Sequence, residues 1–188
     1  MSELFLPILL GTNRKLRQSV FPARWLLGEM KKRPEIETRL FDVAEFALPY
    51  DDYGQEIKDR FPEWREAIVR ADGLVIVTPE YNHSYPGPLK TAIDSVRAEW
   101  RGKPVAFVSY GGLSGGLRAV EALRVVFAEL HATTIRETVS FHNAWDQFDH
   151  TGHAQPGPAD KAAAALLDQL GWWALALRDA RTATPYPA

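Results

Sequence analysis

Three short segments of this chain carry residues suited to holding an anionic, flat ligand. Residues 11–19 read GTNRKLRQS. Gly11 permits a tight exit from whatever precedes it, Thr12 and Ser19 offer hydroxyls, and Arg14, Lys15 and Arg17 add positive charge. With the free N–H groups of a helix start beside them, these are the groups that hold a phosphate. The segment is not a Walker loop, since no Gly-Lys-Thr/Ser closes it, and not a dinucleotide fingerprint, since it holds a single glycine. Read alone, it is equally a solvated basic turn with an N-cap. Residues 79–90 read PEYNHSYPGPLK, where prolines and a glycine stiffen a segment bearing aromatic and amide side chains. A rigid loop of this kind presents backbone N–H and C=O groups in fixed directions, which suits the edge of a planar heteroaromatic ring. The other reading is a plain strand-to-helix connection with Pro88 in the first helical turn. Residues 109–116 read SYGGLSGG, and glycines at 111, 112, 115 and 116 let a backbone approach a ligand closely or simply make a flexible turn.

All three segments follow short apolar runs. Residues 4–10 (LFLPILL), 73–78 (GLVIVT) and 104–109 (PVAFVS) are non-alternating, as central parallel strands covered on both faces are. Residues 36–41 and 133–139 are weaker strand candidates, nearer the sheet edges. Helical spacing fills the gaps: Val20, Ala23, Leu27 and Met30; Phe61, Trp64 and Ile68 behind Pro62; Leu89, Ala92, Ile93 and Val96; Leu123, Val126, Phe127 and Leu130; Leu166, Leu170, Trp173 and Leu177. Strand–helix alternation predicts an α/β sheet with helices on both faces. In such sheets ligands bind beyond the carboxyl ends of the strands, which is where all three segments fall.

Composition narrows the chemistry. The chain has 188 residues, a net charge of −2 and no cysteine. Thiolate nucleophiles, disulfides, Cys-ligated zinc and Cys-held clusters are excluded, and the near-neutral charge disfavours a nucleic-acid-coating surface. No run approaches the roughly 20 apolar residues of a membrane span, and the start lacks the basic region of a signal peptide. A cytoplasmic protein is expected. One domain over residues 1–181 is expected, with 182–188 a poorly ordered tail. Residues 141–158 hold His142, Asp146, Asp149, His150 and His153. Their spacing also fits a divalent metal, but nothing else in the chain asks for one, so a solvated loop is preferred and no metal ligand is assigned. Trp145 and Phe148 are expected to fold that loop over an interface or the ligand, and Trp172 and Trp173 to pack in the core or an oligomer.

The segments GTNR, PEYNHSYPGPLKTAID and SYGGLSGG, in this order and spacing, resemble the NAD(P)H-dependent FMN reductase family of flavodoxin-like proteins, which includes azo, quinone and chromate reductases. The likeness runs from about residue 4 to about residue 139. Where the family often has a serine inside the phosphate loop, this chain has Arg17, while Ser19 remains. The resemblance implies a flavodoxin-like three-layer sandwich with a five-stranded parallel sheet of order 2-1-3-4-5. It implies that Thr12, Arg14 and Ser19 hold the FMN phosphate. Pro79, Glu80, Tyr81 and Asn82 would lie along the isoalloxazine and ribityl chain, and Gly111 and Gly112 would flank the ring, with Ser109 nearby.

By the same resemblance, NADPH or NADH reduces bound FMN, and a small acceptor (flavin, quinone or azo compound) then takes the electrons in a ping-pong cycle. No side chain is assigned as catalytic acid or base. Arg14 and Arg17 are candidates to attract the NADPH 2′-phosphate, although ordinary surface charge is preferred for Arg17. The resemblance further implies a homodimer or homotetramer. It also marks residues 44–55, with Tyr50 and Tyr53, as a loop that approaches a neighbouring subunit's flavin, although a surface loop anchored by Leu48 and Pro49 is slightly preferred. The alternative function is a flavodoxin-type electron carrier or a flavin-binding sensor without turnover. The arginine-bearing loop and near-neutral charge disfavour it.

Overall fold

The computed structural model describes residues 3–46, 61–149, 152–154 and 157–187. The first apolar run forms two strand pieces, β1 (Leu4–Phe5) and β2 (Ile8–Leu10), and the weaker candidate at residues 36–41 forms β3 (Ile36–Glu37) and β4 (Leu40–Asp42). The break lies at Pro7, which has no N–H to give the neighbouring strand. The chain stays in line across it: Leu6 N–H donates to Glu37 O and Ile8 N–H to Arg39 O, while the Thr38 hydroxyl donates to Leu6 O at 2.8 Å. Two longer strands follow, β5 (Leu74–Pro79) and β6 (Pro104–Tyr110), then β7 (Thr133–Phe141). All pairings are parallel, in the order β4-β2-β5-β6-β7, with β3 beside β1. Counting each broken strand once, this is the expected 2-1-3-4-5 order.

Every residue of β5 and β6 is buried, as central strands require. Helices α1 (Val20–Lys31) and α5 (Pro158–Ala183) cover one sheet face, where Ile8, Leu10, Val75, Val77 and Val108 meet Leu26, Met30, Leu166 and Leu170. Helices α2 (Pro62–Arg70), α3 (Gly87–Asp94) and α4 (Leu117–Glu129) cover the other, where Leu9, Ile76 and Phe107 meet Trp64, Ile68, Leu89, Leu123 and Phe127. In α1 it is Leu26, not Leu27, that is fully buried. The carbonyls at the end of α3 are not left bare: Trp64 Nε1 donates to Ala92 O at 3.1 Å and Trp100 Nε1 to Ile93 O at 3.0 Å.

Lys103, at the entrance to β6, is buried and donates Nζ to Ile68 O and to Val69 O, the latter at 2.8 Å, so it caps α2. Burial and the nearby Arg181 push its amine down to about 8. Helix α5 ends at Ala183, and Tyr186 beyond it packs edge-on against His131 at 5.8 Å between centroids. Trp172 is exposed, in edge contact with the half-buried Trp173. Among the described residues no helix is long and apolar enough to cross a membrane.

Candidate functional site

The three segments leave the carboxyl ends of β2, β5 and β6, which are adjacent in the sheet. In the first, Leu16 has a φ of 55° and its side chain is fully exposed. That left-handed backbone costs an ordinary residue on the order of 1 kcal/mol or more. What it achieves is a reversal of the chain. Among the described residues, no hydrogen bond uses the N–H groups of Lys15, Leu16 or Arg17. Successive N–H groups turned about a left-handed residue form a concave anion seat. Arg14 and Lys15 are exposed beside it.

The two hydroxyls of this loop are not exposed. Thr12 Oγ1 lies 3.0 Å from the Tyr81 hydroxyl and accepts from Arg14 N at 3.4 Å. Ser19 Oγ is wholly buried, and its polar neighbour is the Tyr110 hydroxyl. It faces the end of β6, where burial pushes the Tyr110 hydroxyl pKa up. Arg17 is neither surface charge nor open to a nucleotide phosphate: it donates to Thr12 O at 2.6 Å and pairs with Asp42 at the end of β4. It is a strut holding the loop to the neighbouring strand.

In the second segment, neighbouring side chains point to opposite loops. Tyr81 reaches the first loop, and Arg14 lies over its ring with the guanidinium carbon 4.5 Å from the centroid. Glu80 reaches the third loop, accepting from Ser114 Oγ at 2.7 Å, from Arg118 N at 3.1 Å and from the Arg118 guanidinium at 2.6 Å. Burial alone would raise the Glu80 carboxyl pKa. The bonds from Ser114 and Arg118 outweigh it and hold the group below its ordinary value. Pro79 closes β5 and Asn82 lies in the turn beyond it. Asn82 and His83 take φ of 49° and 74°, and Tyr81 and Ser84 exchange backbone hydrogen bonds across this tight turn.

In the third segment Ser109 is buried, donating to Gly115 O at 2.8 Å, and Ser140 Oγ donates to the same carbonyl at 2.7 Å. Gly116, at φ 88°, has no room for a side chain: a Cβ there would fall 2.8–2.9 Å from Ser109 Cβ and the Tyr110 backbone. Gly111 and Gly112 stay partly open, and the Trp145 ring edge lies against Gly112. His142 Nδ1 lies 2.9 Å from Leu113 O. Phe148 turns inward onto Phe21 and Phe141.

The structure brings the three predicted loops together on one sheet edge, and Thr12, Arg17, Glu80 and Ser109 are bonded within the protein. Ser114, Arg118 and Ser140 were missed, and Tyr110 was singled out for no role; the glycine-rich spacing was the only available pointer to Ser114. An FMN phosphate fits the N–H seat, and a ring edge fits the open glycines. Tyr50, Tyr53 and His150 lie outside the described residues. Asp149 and His153 contact each other at 3.8 Å, and among the described residues no three His, Asp or Glu converge on a metal position.

The model of the family described as NADPH-dependent FMN reductase matches residues 6–146. A curated NAD(P)H-dependent FMN reductase of Schizosaccharomyces pombe is 36% identical over 118 residues, 58% of each chain. An FMN-dependent NADPH-azoreductase of Staphylococcus aureus strain USA300 is 30% identical over 147 residues, 73% of this chain and 76% of that one. The chain thus spans less than two thirds of the S. pombe relative, and 59% of a similar Saccharomyces cerevisiae reductase. Among solved structures, an NADH:FMN oxidoreductase (EMOB, apo form) superposes with a TM-score of 0.70 at 20% identity, covering 92% of this chain and 89% of that one. The flavoenzyme FerB of Paracoccus denitrificans superposes at 0.67 with 21% identity, covering 94% and 98%. Matched over most of its length and carrying the three loops in order on one sheet edge, the chain belongs to the NADPH-dependent FMN reductase family.

Proposed function

We propose that the protein is an NAD(P)H-dependent oxidoreductase that carries FMN and delivers electrons to small acceptors such as flavins, quinones or azo compounds. The observation that carries this reading is the anion seat at residues 15–17, built on the left-handed Leu16 and set beside the open glycines of the third loop. FMN supplies two-electron redox chemistry there, with NADPH or NADH as donor and the acceptor following at the same face in a ping-pong cycle. The chain's own groups bind and orient. The N–H groups of Lys15, Leu16 and Arg17 hold the phosphate, and Arg14 and Lys15 supply charge. Ser19 offers its buried hydroxyl from behind. The backbone from Pro79 to Asn82 borders one edge of the ring, and Gly111 and Gly112 border another. Thr12, Glu80 and Ser109 keep these loops in place, and no side chain serves as an obligate acid or base.

A homodimer or homotetramer in the cytoplasm, free of nucleic acid and membrane, completes the reading. It is supported by the family likeness and the near-neutral charge. Anaerobic titration of FMN-loaded protein with NADPH and NADH tests it: the flavin band bleaches, and colour returns when a quinone or azo acceptor is added. Protein that takes up no FMN overturns the proposal. Protein that binds FMN yet leaves it oxidised under both donors is an electron carrier or sensor instead.

A further inference from the structure

Tyr81 and Glu80 are adjacent in sequence but serve different loops, so this one segment ties the two outer loops to the central strand. The tie to the first loop has a specific form. Thr12 is 1% exposed, and its hydroxyl oxygen takes the Arg14 N–H on one side and faces the Tyr81 hydroxyl on the other. A phenol is more acidic than an aliphatic alcohol and is the better donor of the two. With Tyr81 donating, both lone pairs of Thr12 Oγ1 are filled, and the turn that begins at Arg14 is pinned at its first residue. The Tyr81 ring meanwhile carries the Arg14 guanidinium on its face, which keeps that charge at the loop. Two residues on, the chain enters the left-handed Leu16 and presents its N–H seat.

Resting on the FMN reading, we propose that Tyr81 is a positioning residue for the phosphate half of the site: its hydroxyl, through Thr12, presets the loop that recognises the phosphate. Its contribution is then confined to ligands that carry a phosphate. A seat formed in advance is worth most to the group that fills it. Riboflavin has the same ring and lacks that group.

The test is equilibrium binding of FMN and of riboflavin to the whole chain. Wild-type protein binds FMN much more tightly than riboflavin; if it binds neither, the FMN reading itself fails before any variant is made. Tyr81→Phe keeps the ring under Arg14 and removes only the hydroxyl. It raises the FMN Kd about tenfold and leaves the riboflavin Kd within about twofold. Thr12→Val shows the same selective loss, Thr12→Ser restores tight FMN binding, and adding Tyr81→Phe to Thr12→Val costs nothing more. An equal loss for both flavins makes Tyr81 a general tie of the fold and overturns the proposal. So does unchanged FMN affinity, or a further loss in the double variant.

Discussion

At the scale of single residues, the site depends on side chains spent within the protein. Arg17, Glu80, Ser109 and Thr12 all look, by type, like ligand contacts, and each is committed to a partner within the protein. Leu16 is the opposite case, an apolar side chain fully in solvent whose value lies in its backbone. Glycine adopts its φ without strain and a β-branched residue resists it most. Leu16→Gly is therefore expected to keep FMN affinity, and Leu16→Val to lower it, as read by flavin titration. Equal affinity in the two variants would remove the left-handed turn from the phosphate seat. None of this is legible in the sequence. Thr12 and Tyr81 lie 69 positions apart, and Glu80 and Arg118 lie 38 apart. Spacing patterns report only neighbours along one element, while these contacts arise when β2, β5 and β6 come side by side.

Elements were far easier to read. Apolar runs uninterrupted by charge become buried strands, and helical spacing finds the covering helices, because both patterns are local. The misses have physical causes. Pro7 splits the first strand since it lacks an N–H, and Thr38 bridges the gap with a hydroxyl that no periodicity announces. Lys103 reads as an ordinary charge beside a strand, yet it is buried as the cap of α2. It loses its proton near pH 8 when folded, against 10.5 for the ordinary side chain. Between these values the unfolded chain holds more protons, so this residue makes stability rise with pH there; below pH 8 its charge is held at a cost. Urea unfolding at about pH 7 and about pH 9.5 should show that rise in wild type and a smaller one in Lys103→Met. An identical rise in both proteins would assign it to other groups.

For the molecule as a whole, the tryptophans lie at different depths, from the sealed core to open solvent. Trp64 and Trp100 are sealed in one layer, 6.1 Å apart, while Trp145 and Trp172 stand 59% and 65% exposed. The exposed pair lies at separate places, Trp145 against Gly112 of the third loop and Trp172 on α5. The protein thus carries its own optical gauge of occupancy. Iodide, which quenches only emission it can collide with, reaches both exposed indoles in the free chain. A flat cofactor seated beside Gly112 shields one of them and leaves the other open. Saturating FMN is expected to cut the iodide-accessible emission, and Trp145→Phe to abolish that cut. If the shielding survives in Trp145→Phe, the ring does not sit at that loop.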